Sequence, residues 1–176
     1  MTLAQAYYAL AAVFLLAGYL VLADAPALRT FRRSNKATLV LTLLAVAWFG
    51  WWLQNIPEAD LAGLSRLPVQ VVFIGAGLAA ILYMPDFLAV RSLGVLMLFL
   101  ARHALDAGYR QLPQSLLDAS ASYGVLVLFG FWWACSPPVF NRQCDWVLAT
   151  SGRRRAVGGL LALLGLACAG QSLRLP

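Results

Sequence analysis

Apolar runs dominate the chain, and short polar breaks divide them into lengths close to the thickness of a bilayer. Leu3 to Ala23 carries no charge and closes at Asp24-Ala25-Pro26, where proline stops a helix. Ala37 to Leu53 makes the second run, about 25 Å of helix at 1.5 Å per residue. It ends in Trp48-Phe49-Gly50-Trp51-Trp52, indoles that favour the headgroup boundary. Val69 to Met84 is the third, stopped by Pro85-Asp86. Phe87 to Ala107 is the fourth and carries Arg91, Arg102 and His103. Pro113-Gln114-Ser115-Leu116-Leu117-Asp118 opens the fifth, with Ser115 as N-cap and Asp118 in the place of the usual capping-box Glu. That run reaches Cys135 through Phe129-Gly130-Phe131-Trp132-Trp133, and Ser136-Pro137-Pro138 breaks it. The last span is Val157 to Leu173, entered through Thr150-Ser151-Gly152 and Arg153-Arg154-Arg155.

Two loops carry a helical pattern of their own. Pro57-Glu58-Ala59-Asp60 reads as a helix start, with proline in the first turn and acids at the positive end of the dipole. Ile56, Leu61, Leu64 and Leu67 could rest that loop on a membrane surface. Val139 to Leu148 sets Val139, Phe140, Cys144, Val147 and Leu148 on one side of a helix and Asn141, Arg142 and Asp145 on the other, a pattern for a helix lying in the interface.

Composition turns this pattern into a class. The chain is 62% hydrophobic and 11% charged with mean hydropathy +0.78, against about half and about a quarter in a soluble domain. A fold of 176 residues cannot hide that much apolar surface from water, so its solvent is partly lipid. At about 20 residues per crossing there is room for about six or seven helices and no second, soluble domain. The expected fold is an all-α integral membrane protein, one polytopic domain over residues 1–176, with six transmembrane helices and short interfacial helices in the loops.

Charge then sets the orientation. Basic residues prefer the cytoplasmic side of a membrane. The loop Arg29-Thr30-Phe31-Arg32-Arg33-Ser34-Asn35-Lys36 fixes the direction of everything after it. With that loop inside, Arg91, Arg142, Arg153, Arg154 and Arg155 also fall inside, leaving Arg66, Arg102, Arg110 and Arg174 outside. Both termini are therefore expected outside the cytoplasm. The net charge of +6 points to anionic phospholipid headgroups and not to nucleic acid, because the basic residues flank apolar runs. Arg32, Arg33, Arg153, Arg154 and Arg155 are the candidate contacts for lipid or for another membrane subunit. Lys36 is the only lysine, and with the Ala, Leu and Gly richness this favours a bacterial cytoplasmic membrane. The first apolar run has neither a basic leader nor a cleavage context, so no signal peptide is expected. Cys135, Cys144 and Cys168 show no CxxC spacing, and Cys135 and Cys144 fall on the reducing side.

An internal echo adds a second architectural expectation. Phe49-Gly50-Trp51-Trp52 with Pro57 matches Phe129-Gly130-Phe131-Trp132-Trp133 with Pro137, and Ala76 to Leu82 matches Gly158 to Leu164. Three helices per unit would make residues 1–84 and 85–176 inverted repeats, an arrangement that places a transporter's site at the midplane. Apolar segments of Ala, Leu, Gly and Phe also match each other without common ancestry.

Candidate chemistry is sparse. Arg102, His103, Asp106, Arg110 and Asp118 gather around one outer loop, and His103 with Asp106 could handle protons. The plainer reading is a solvated helix end with one surface ion pair, and Arg91 and Arg102 are read as snorkelling towards water. Thr42, Ser120 and Ser122 are the polar residues furthest into the spans, where hydroxyls mostly satisfy backbone. One histidine excludes bis-histidine haem ligation, and no cofactor or metal is expected. Gly75, Gly77, Gly158 and Gly159 read as small residues that let helices approach closely. The functional expectation is a non-enzymatic accessory or scaffold subunit of a larger membrane complex. The alternatives are a small transporter or lipid-handling protein and, more distantly, a membrane enzyme with an outer-face His/Asp site.

Overall fold

The computed structural model describes residues 1–57, 61, 64–83 and 86–175. Its helices are α1 (Leu3–Leu22), α2 (Asn35–Asn55), α3 (Arg66–Tyr83), α4 (Leu88–Ala107), α5 (Leu116–Cys135), α6 (Pro138–Leu148) and α7 (Ser151–Ser172). All of these except α6 are long and apolar enough to cross a membrane, and the described residues contain no strand. A short helix, Pro26–Thr30, and a tight turn, Phe31–Arg33, fill the basic loop between α1 and α2.

Three of the long helices, α1, α2 and α7, begin where the N-cap side chain satisfies a free amide. Thr2 and Gln5 form a reciprocal capping box at α1, with Oγ1 accepting from the Gln5 amide at 3.3 Å and Oε1 accepting from the Thr2 amide at 3.0 Å. Ser34 caps α2 through the Ala37 amide at 3.2 Å, and Thr150 caps α7 through the Arg153 amide at 3.4 Å. The Thr150 cap moves the start of α7 back to Ser151, so Arg153, Arg154 and Arg155 lie within the helix and not in the preceding loop. Arginine is a good helix former, and a polar first turn is invisible to a search for apolar runs. The same effect extends α2 back to Asn35 and α3 back to Arg66, with Pro68 tolerated in the first turn of α3. The helix start expected at Pro57-Glu58-Ala59-Asp60 lies outside the described residues from Glu58 onward.

Small residues set the closest helix pairs. Antiparallel α1 and α7 form the most extensive contact, on a seam of Leu3, Tyr7, Leu10, Phe14 and Gly18 against Gly158, Gly165, Cys168 and Ser172. These intervals of three, four and seven are those of a coiled-coil stripe. A Cβ on Gly18 would come within 2.9 Å of the Ala162 amide nitrogen and 3.0 Å of the Gly158 carbonyl oxygen, so the two backbones touch. Antiparallel α4 and α5 make the second close pair: a Cβ on Gly94 would lie 2.5 Å from the Gly130 oxygen. Helix α2 runs parallel to α4, joined by a buried hydrogen bond of 2.8 Å between the Thr42 and Ser92 hydroxyls. Helix α3 lies on the outside, packed chiefly on α2 through Phe73 against Phe49, and none of its residues is buried. Two of the main pairs, α1/α7 and α2/α4, join residues 1–84 to residues 85–176, while α4/α5 and α2/α3 pack within those halves. The core sits between α1, α4, α5 and α7 around Tyr7, Leu10, Phe14, Ala101, Ala104, Leu126 and Cys168.

Candidate functional site

The alternating helix directions create two ends with different chemistry. At the basic end, Asp24 (φ 49°) accepts from Arg29 at 3.1 Å and from Arg154 at 2.6 Å, tying the first loop to α7. Phe140 of α6 is buried, 5.5 Å from the Phe31 ring and 4.9 Å from the Trp133 ring. The Trp133 indole donates to Gln143 Oε1 at 2.7 Å, which fixes α6 on the end of α5. Arg32 lies 4.7 Å over the Phe87 ring and Arg153 lies 4.8 Å over Trp146. These contacts gather the basic segments around Arg29–Lys36, Arg142 and Arg153–Arg155 at one end. Arg154 is spent on Asp24, whereas Arg33 and Arg155 are exposed.

Helix α6 is amphipathic as its sequence implies: Phe140 is buried, Cys144, Val147 and Leu148 are half-buried, and Arg142 and Asp145 are exposed. Burial pushes the Cys144 thiol up to about 11, with the neighbouring Asp145 charge adding to the effect. That thiol is a packing group and not a nucleophile at neutral pH. Cys135, Cys144 and Cys168 are all free.

At the opposite end the five expected cluster residues separate. Arg102 and Asp106 form the i,i+4 pair, with Nε to Oδ2 at 3.7 Å and both side chains mostly exposed. His103 turns away from Asp106: its Nδ1 donates to the Phe99 carbonyl at 2.9 Å, because a carbonyl can only accept. Its ring packs between Trp48 at 5.4 Å and Trp51 at 6.0 Å, while Arg102 covers Trp52 at 4.8 Å. Arg110, at φ 60°, lies over Tyr109. The result is a belt of indoles and cations joining α2 to α4, a geometry suited to a membrane boundary. It does not assemble a His–Asp dyad.

Asp118 turns inward and is fully buried. Its carboxylate accepts from the Ser122 hydroxyl at 3.3 Å, and Oδ2 lies against Gly108 without a hydrogen-bond partner among the described residues. Ser115 occupies the N-cap position of α5, but its side chain makes no cap. The expected Ser115/Asp118 capping box is replaced by Tyr7 from α1. The Tyr7 hydroxyl accepts from the Asp118 amide at 3.1 Å and donates to the Gln114 carbonyl at 2.6 Å. Ser122 opens a stretch of π-helical turns, Ser122–Val127, inside α5. Sequence reasoning missed Tyr7, although its place on the 3, 7, 10, 14 stripe marks it as inward-facing.

Among the glycines expected at helix contacts, Gly158 meets Leu22 and Gly18, and Gly77 meets Val46. Gly75 and Gly159 meet nothing within 4 Å. The closest approaches to a neighbouring helix's backbone fall on Gly18, Gly94, Gly130 and Gly165, which the sequence reading did not single out, whereas Gly77 and Gly158 press on side chains of Val46 and Leu22. Among the described residues no three of His, Cys, Asp and Glu come together as a metal site. In comparison with known proteins, no family model and no curated protein matches the chain, and no solved structure matches its fold.

Proposed function

We propose that the chain is a non-enzymatic, six-span protein of a bacterial cytoplasmic membrane and serves as an accessory subunit of a larger membrane complex, with α3 as its docking helix. The basic end faces the cytoplasm in this reading, as the positive-inside rule requires, and both termini face the other side. The observation that carries it is α3 itself: none of its residues is buried, and Gly75 meets nothing within 4 Å. Lipid offers no reward for small residues on a helix surface, whereas a second helix does, because small residues let backbones approach. Gly75 and Ala79, both exposed and four residues apart, supply such a stripe.

Gly75→Leu is the test. A Cβ at this position touches nothing in the chain, so the variant should keep its thermal stability in detergent. The protein partner recovered with it after extraction in native lipid should fall about tenfold, equivalent to about 1.4 kcal/mol. Undiminished partner recovery, or no stoichiometric partner with the unaltered chain, overturns the reading. Gly77→Leu cannot serve, because it would strike Val46 and disturb the chain's own packing.

A second reading, a small carrier or lipid-handling protein built from inverted three-helix halves, draws support from an apolar crevice between α2, α3 and α4. Its distinguishing outcome is a lone chain or dimer that holds a lipid. The outer-face enzyme has no such support, since His103 and Asp106 point to different partners.

A further inference from the structure

One face of α2 carries two hollows in line. Near the basic end, Arg32, Arg33, Asn35, Thr38 and Asp86 line a polar hollow of about 180 Å³. One turn further along, Thr42 and Ala45 enter an apolar crevice of about 350 Å³ walled by α3 and α4. Residues 35, 38, 42, 45 and 49 follow the three-and-four spacing of a single helix face. Thr42 and Ser92 satisfy each other at 2.8 Å, so the crevice beyond them presents carbon. Phe49 packs at a tilt against Phe73 at 4.8 Å and stacks on Phe99 at 6.2 Å, closing the far end with rings.

We propose that this groove binds one amine-bearing, zwitterionic phospholipid of the phosphatidylethanolamine class. The Arg32 and Arg33 guanidiniums take the phosphate, Asp86 takes the ammonium, and an acyl chain lies in the crevice against Ala45 and Phe49. The charges match group by group, and guanidinium is suited to phosphate. The length matches too: Asn35 to Phe49 spans about 21 Å of helix, and one leaflet with its headgroups is half of about 40–45 Å. The outlying α3 is the wall through which a lipid enters sideways, since it is held chiefly by α2. The inference rests on the six-span reading and is independent of any partner on the outer side of α3.

The test is native mass measurement on the purified, delipidated chain in detergent, offered phosphatidylethanolamine, phosphatidylglycerol and phosphatidylcholine with identical acyl chains. The unaltered protein should retain phosphatidylethanolamine above the other two. Arg32→Gln with Arg33→Gln should lower that adduct about thirtyfold. Asp86→Asn should abolish the preference over phosphatidylcholine, whose quaternary amine donates no hydrogen bond. Ala45→Leu, which fills the crevice and leaves the headgroup hollow alone, should lower retention of all three lipids. Equal retention of the three by the unaltered protein, or an undiminished adduct in the folded double-arginine variant, overturns the proposal. A protein occupying the groove in place of lipid also overturns it.

Discussion

Gly94→Leu should lower the unfolding temperature in detergent more than any other single change at a helix contact in this chain. The added Cβ would stand 2.5 Å from the Gly130 carbonyl oxygen and 2.9 Å from the Ala134 amide nitrogen. Both are backbone atoms of α5, so no side chain can swing aside to make room. The helices must separate, and α4 is the helix on which α2 and α5 both pack. Overpacking of this kind costs about 3 kcal/mol or more, which for a chain of this size corresponds to a fall of about 6–12 °C. Gly124→Leu on the partner helix α5 meets nothing within 4 Å and should leave the midpoint nearly unchanged. Equal midpoints for the two variants, followed by circular dichroism on heating, would show that α4 and α5 are not in backbone contact.

Tyr7→Phe should also be strongly destabilising, although it removes a single oxygen. The Tyr7 hydroxyl is the shared partner of the Asp118 amide and the Gln114 carbonyl at the start of α5. With the hydroxyl gone, both backbone groups lose that partner, and Ser115 supplies no side-chain cap in its place. Leaving a buried donor unmade costs about 1–3 kcal/mol, so loss of the buried Asp118 bond, with the part-buried Gln114 carbonyl also released, should cost about 2 kcal/mol. Tyr8→Phe is the internal control, because Tyr8 is exposed on the opposite side of α1. Thermal unfolding of the two variants in the same detergent separates them: a large fall for Tyr7→Phe and almost none for Tyr8→Phe. Equal and small effects would mean that α5 is capped by something other than α1.

The two sites differ in how much of them the sequence exposes. The long helices and their order are legible because apolar length and the breaks at Asp24-Ala25-Pro26 and Ser136-Pro137-Pro138 are local properties. The amphipathic α6 is legible for the same reason, since its two faces alternate within eleven residues. Tyr7 capping α5 is not, because the hydroxyl and the amide it serves are separated by 111 positions and meet only through α1/α5 packing. That distance also explains why Asp118 leaves the outer cluster: charge and spacing place it with Arg102 and Asp106, but its inward direction depends on the Tyr7 contact. The glycines teach a related lesson. Smallness can be read at Gly75, Gly77, Gly158 and Gly159 alike, but whether each faces a neighbour depends on its azimuth on the helix. The seven-residue interval from Gly158 to Gly165 to Ser172 is the one local signal that would have selected the buried face of α7.

In the proposed six-span orientation the basic end lies in the cytoplasm, the proposed phospholipid groove in the inner leaflet and α3 within reach of a partner's helix. Single cysteines introduced into an otherwise cysteine-free chain test this orientation directly. Tyr109 and Arg142 are both exposed and stand on opposite ends of α5. In intact cells a membrane-impermeant maleimide should label Tyr109→Cys, and it should reach Arg142→Cys only after permeabilisation. Labelling of Arg142→Cys in intact cells, with Tyr109→Cys protected, would reverse the orientation and contradict the account.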